Sequence, residues 1–153
     1  MLTIVIIMTI IIMGDRIMSK RIYFLLSVIF LTLGALIYAL YRPNSQIAVF
    51  CDKIVELNSL RQVLVVFEND FIKFYLPDFL WGISLCFSLY AVFLPSLKGA
   101  IIISTVAVFC GICWEILQWT DLVGGTGDVL DIMMYFAAGV LTIFISLKKE
   151  KEK

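Results

Sequence analysis

Four stretches of this chain are too long and too apolar for a small soluble core: Ile22 to Tyr41, Pro77 to Phe93, Ala100 to Gln118 and Ile132 to Leu147. The hydrocarbon layer of a bilayer is about 30 Å thick and a helix rises about 1.5 Å per residue, so runs of this size cross it or nearly so. Inside lipid every backbone N–H and C=O must find a partner within the protein, which makes the α-helix the natural form for such runs. Composition agrees: 62% of the 153 residues are hydrophobic and 16% are charged, against roughly 45–50% apolar in soluble domains. The expected fold is an all-α integral membrane protein, an antiparallel bundle of about four transmembrane helices with interfacial amphipathic helices beside it.

The breaks between spans set the rest of the layout. Residues 2–13 are apolar but reach only about 18 Å, too short to span well. Met18-Ser19-Lys20-Arg21 ahead of a full apolar run looks like a membrane-protein start, so residues 1–17 are read as an apolar N-terminal extension and residues 18–153 as one transmembrane domain. Pro43 stops the first helix. Over residues 44–76, Ile47, Phe50, Ile54, Leu57, Leu60, Leu64, Phe67, Phe71 and Phe74 recur at three or four, the pattern of one or two amphipathic helices broken near Asn58-Ser59 and lying in the interface. Ser96-Leu97-Lys98-Gly99 allows only a tight hairpin, so the second and third spans run antiparallel.

Basic residues set the expected orientation. With the amino end of the first span inside, Lys20, Arg21, Lys98 and the four terminal lysines share the cytoplasmic side, as the positive-inside rule requires. The Trp114–Asp131 run then faces the extracytoplasmic side of a cell membrane. A net charge of zero with no basic stripe argues against nucleic acid as a partner; the bilayer is the expected one. The absence of histidine leaves proton or metal chemistry to carboxylates and cysteines. Cys110 and Cys113 have CxxC spacing, but inside an apolar helix thiols behave as small hydrophobes.

Polar side chains concentrate where the third span ends. Glu115 and Gln118 lie three apart on one helix face, and a carboxylate at that depth either faces the bundle interior or snorkels to water. Asp128 and Asp131 are also three apart, the spacing of an N-cap and the acid at the third helical position, a capping arrangement that needs no function. Gly124-Gly125-Thr126-Gly127 reads as a flexible turn. Asp78, in the first turn of its span, suits the helix dipole and enters from the same side. If Asp78, Glu115, Gln118, Asp128 and Asp131 converge at one mouth with no basic residue beside them, they must share protons, bind a divalent cation such as Mg²⁺ or Ca²⁺ through Glu115, Asp128 and Asp131, or hold a cationic ligand. Trp81, Trp114, Trp119 and Tyr135 would rim the site as ligand contacts, or form an ordinary aromatic belt.

The pattern Trp114-Glu115-x-x-Gln118, a short loop, Gly127-Asp128-x-x-Asp131 and a small-residue helix with Ala137, Ala138 and Gly139 resembles the signature of the VanZ-like family of small bacterial membrane proteins. Leu76-Pro77-Asp78-Phe79-Leu80-Trp81 is similar to that group's acid-and-aromatic opening of an earlier span. The resemblance implies a cell-envelope protein with a link to glycopeptide antibiotic resistance. Glu115, Gln118, Asp128 and Asp131 are then the candidate catalytic set, and the expected role is binding or modifying an amphiphile, a lipid-linked wall precursor or an antibiotic. Two other classes remain open: a small proton- or cation-coupled transporter with Glu115 as relay, and a structural or accessory membrane subunit.

Overall fold

The first transmembrane helix, α1 (Lys20–Tyr41), ends where Pro43 predicts. Its stripe of Tyr23, Leu26, Ser27, Phe30 and Gly34 is buried, three and four residues apart as one helical face demands. The computed structural model describes residues 20–55, 57–64, 69–93 and 96–151; the extension expected over residues 1–17 lies outside them. Next come two short helices, α2 (Gln46–Asp52) and α3 (Asn58–Leu64), then α4 (Leu76–Phe93), α5 (Leu97–Trp119) and α6 (Val129–Lys151). Four helical stretches, Lys20–Tyr41, Phe71–Phe93, Leu97–Trp119 and Val129–Ser146, are long and apolar enough to cross a membrane, and among the described residues there is no strand. The chain is an all-helical, multi-pass membrane protein.

The central helix is α4. It packs along α1 on one side and against α5 and α6, which also pack on each other. Phe87 is fully buried where Tyr23, Phe30 and Tyr90 meet it, with ring centroids 5.9, 5.9 and 6.2 Å away. Small residues let the backbones approach, the rule for helix pairs in lipid. A Cβ on Gly82 of α4 would lie 2.9 Å from that of Ala138 on α6. Hydroxyls tie the buried faces together: Ser27 bonds Ser88 across 2.6 Å, and Ser104 bonds both Tyr90 (2.7 Å) and Thr142 (3.1 Å). The outward faces carry Phe24, Leu25, Ile102, Phe109, Phe136 and Phe144, as lipid contact requires. Cys51, Cys86, Cys110 and Cys113 are all free thiols.

The segment between the first two spans forms two short helices with a break just before Asn58, as the sequence pattern allows, but the helical stretch of the second span begins before residue 76. The α2 helix starts at Ser45, whose hydroxyl accepts from the Ala48 N–H (3.2 Å), and α3 follows after a turn. Phe71–Tyr75 is a π-turn running straight into α4, so these residues belong to the second span. Ala48 and Leu57 close over Ala39 in a small cluster, while Val49, Phe50, Ile54, Val55, Leu60 and Val63 face outward, suited to the headgroup boundary. Arg61 holds this unit. Its guanidinium pairs with Asp52 (2.7 Å) and donates twice to the carbonyl of Ala39 (3.2 and 2.9 Å), one of the acceptors left open in the last turn of α1. Arg61→Gln is expected to release α3 at a cost of about 1 kcal/mol, the scale of a partly exposed charged hydrogen-bond set. Limited proteolysis should then cut between α2 and α3 severalfold faster; an unchanged cutting rate would show that the apolar cluster alone holds them.

Candidate functional site

At the end of the bundle where α1 and α5 finish and α4 and α6 begin, an open cavity of about 860 Å³ enters the protein, a size typical of ligand pockets. Asp78, Glu115, Asp128 and Asp131 all line it, together with Gln118, Trp81 and Trp114. Three elements deliver the acids: α4 carries Asp78 in its first turn, α5 carries Glu115 one turn before its end, and the start of α6 carries Asp128 and Asp131.

How α5 ends determines where the loop goes. Leu122 N–H reaches the Leu117 carbonyl (3.0 Å) and Asp121 N–H reaches that of Gln118 (3.1 Å), the paired bonds of a Schellman cap, with Asp121 in the left-handed region at φ 55°. The loop then folds back over Gln118. With its amide oriented to suit its neighbours, Gln118 accepts from the Trp114 indole N–H (2.7 Å) and donates to the Thr126 carbonyl (3.1 Å). Gly125 sits over this amide at φ 138°, where any Cβ would strike it. Gln118 therefore holds the loop and does not bond Glu115, despite their shared helix face.

Glu115 is instead held by α6. Asp128 caps that helix as its spacing predicts, its Oδ1 accepting from the Leu130 N–H (2.9 Å). In a complete capping box the acid three residues on would bond back to the N-cap N–H. Here Glu115 Oε2 takes the Asp128 N–H at 3.1 Å, so α5 supplies the second half of the box across the helix interface. Asp131 is thereby released from capping, and its Oδ1 is buried without a hydrogen-bond partner. Glu115 is only 1% exposed, and among the described residues its sole hydrogen bond is that one. Asp78 accepts from the Tyr135 hydroxyl at 2.8 Å. Tyr135 stands behind the cavity wall, its ring wedged between Gly111 of α5 and Gly82 of α4.

Arg42 stands in this cluster, against the expectation that no basic residue lies beside the acids. It lines the same cavity, and it stands there because of the π-turn. Pro77 has no N–H to give to the carbonyl of Lys73 four residues back; Arg42 Nε donates there instead (3.3 Å), and one terminal nitrogen donates to the Phe74 carbonyl (3.4 Å). The other terminal nitrogen donates to the Tyr38 hydroxyl at 2.9 Å, and the guanidinium lies over the Tyr38 and Phe74 rings, 4.4 and 5.0 Å from their centroids. It makes no ion pair with any of the four acids. A lone arginine just beyond an apolar run, on the acid-rich side, was the available signal.

Of the aromatic residues expected at the rim, Trp81 and Trp114 line the cavity, Tyr135 reaches it through Asp78, and Trp119 lies against Gly127 outside the lining. Among the described residues no three Asp, Glu or Cys side chains gather as a metal site. What the arrangement offers is acceptor oxygens in a partly enclosed space, one unpaired guanidinium over aromatic rings of the same lining, and a mouth at the end of a membrane bundle. Compared with protein-family models, curated proteins and solved structures, the chain matches none of them.

Proposed function

We propose that this chain is a VanZ-like protein of the bacterial cytoplasmic membrane that binds an amphiphilic ligand of the cell envelope, a lipid-linked wall precursor or a glycopeptide-type antibiotic, in the acidic cavity at its outer face. The observation that carries this reading is the convergence of Asp78, Glu115, Asp128 and Asp131 on one open cavity of about 860 Å³ at the bundle end. Four carboxylates facing one arginine leave negative charge that protons or a cationic group must balance. Two of them, Asp78 and Glu115, are at least nine-tenths buried, and carboxylates at membrane depth normally serve a ligand or an ion path. The cytoplasmic placement of both ends of the four-span core, from the positive-inside count, supports the outward mouth.

The layout favours binding over conduction. Below Tyr135 the next hydroxyl cluster, Ser104 with Thr142 and Tyr90, lies beyond a layer where Gly82 and Ala138 are packed in contact, and a relay needs continuous polar partners.

Cells expressing the wild-type chain are expected to survive lipoglycopeptides at severalfold higher doses than cells without it, and Glu115→Gln at matched membrane abundance is expected to reduce that protection while leaving part of it. In the same assay Glu115→Gln and Asp131→Asn should combine to less than the sum of their single effects, since they act on one site. Strict additivity, or full protection by Glu115→Gln, would sink the shared-site reading.

A further inference from the structure

The cavity has two chemically distinct walls, and a ligand that satisfies one leaves the other unmet. On the acid wall, Asp131 Oδ1 is buried with no partner, and Glu115, 1% exposed, bonds through Oε2 alone. Asp131 Oδ1 thus lacks a donor altogether, and Glu115 has one, on Oε2. Elsewhere in the same lining, three of the five N–H groups of Arg42 are engaged by Lys73, Phe74 and Tyr38. Two remain, on a guanidinium that lies over two rings and is unpaired with any of the acids. A pre-oriented guanidinium edge with free donors is a fitting partner for a phosphate or carboxylate oxygen pair.

Resting on the binding role proposed above, we infer that the polar part of the ligand is a zwitterion, a primary ammonium joined by a short linker to a phosphate-type oxyanion, with the ammonium on Glu115 and Asp131 and the oxyanion on Arg42. A primary ammonium brings three N–H donors to oxygens that lack them. A quaternary ammonium brings none, and Arg42 already covers two of the lining rings, Tyr38 and Phe74. An anionic headgroup without an amine could meet Arg42 but would leave the four carboxylates unbalanced. The same zwitterion occurs as a lipid headgroup and as a free small molecule, and the cavity chemistry suits both.

The test uses the full chain in detergent micelles, titrated with short-chain lipids that differ only in headgroup: phosphoethanolamine, phosphocholine and phosphoglycerol. Dodecylamine, an ammonium amphiphile with no oxyanion, and free O-phosphoethanolamine complete the set. Binding is read by native mass spectrometry. The phosphoethanolamine lipid is expected to bind about tenfold tighter than the other two lipids, the factor one charged hydrogen-bond pair supplies. Arg42→Gln should weaken the three lipids together while leaving dodecylamine bound as before; Asp131→Asn should remove the phosphoethanolamine preference and weaken dodecylamine as well. Arg42→Lys, which keeps the charge without the fork, should lose less than Arg42→Gln. The preference is a ratio within each variant, so it does not depend on what fraction of a variant folds. Competition by free O-phosphoethanolamine would support the zwitterion with a soluble source, and its failure to compete would support it with a bilayer source. Equal binding of dodecylamine and the phosphoethanolamine lipid, unchanged by Arg42→Gln, would overturn the zwitterion and leave amphiphile binding standing. If no cavity substitution alters the binding of any of these amphiphiles, both readings fall.

Discussion

Gly111→Val is expected to lower stability by about 2–3 kcal/mol, the cost of overpacking a close-packed contact, and to disable the cavity in the molecules that still fold. A Cβ at residue 111 would fall on the Tyr135 ring. Room for the ring to shift is small, because it also lies near Gly82, where an added Cβ would come within 3.3 Å of it. Displacing it breaks the 2.8 Å bond from the Tyr135 hydroxyl to Asp78 and leaves a 9% exposed carboxylate without that donor. It also spreads α5 from α6, the pair whose contact holds Glu115 on the Asp128 N–H. Unfolding in mixed micelles should show the lower midpoint, and amphiphile binding per folded molecule should fall at the same time. Gly111→Ala should act in the same direction but less, since the better helix propensity of alanine, worth about 1 kcal/mol, opposes the clash. Wild-type stability in Gly111→Val would show that α5 and α6 separate more easily than their packing implies.

Phe87→Ala is expected to cost about 3–5 kcal/mol and to leave binding per folded molecule unchanged. Its fully buried ring joins α1 and α4 through Tyr23, Phe30 and Tyr90. In lipid the loss is one of packing contacts and an unfilled cavity, since no gain from leaving water drives these helices together. None of these four residues lines the acidic cavity. The two substitutions therefore separate scaffold from site: both destabilise, but only the glycine change reaches the ligand wall. A binding defect in Phe87→Ala would mean that the α1–α4 contact sets the position of Arg42 or Asp78 more directly than the geometry indicates.

The legible part of the site was local. The helix cap at Asp128 follows from its place before Val129, and the aromatic and acidic opening of α4 follows from Pro77-Asp78 and Trp81. Partner choice was less legible. The spacing of Glu115 and Gln118 puts them on one face of α5, yet the loop claims Gln118 through Thr126 and α6 claims Glu115. The pair Asp128 and Asp131 reads as a self-contained capping box, yet Glu115 replaces Asp131 in it. Arg42 reads as an interfacial anchor, and only the carbonyls of Lys73 and Phe74 in the π-turn draw it to the cavity.

By itself the sequence determined the class and the existence of four spans, because hydrophobic run length, proline and end charges act within a single helix and need no neighbour; it placed the start of the second span at Pro77, whereas the helical stretch begins at Phe71. The tertiary structure alone decided which acids share a cavity, that Asp131 Oδ1 is left without a donor and that Arg42 joins the same lining. Those outcomes depend on how closely α4, α5 and α6 approach at Gly82, Gly111 and Ala138, and a hydrogen bond between helices exists only once that distance is set.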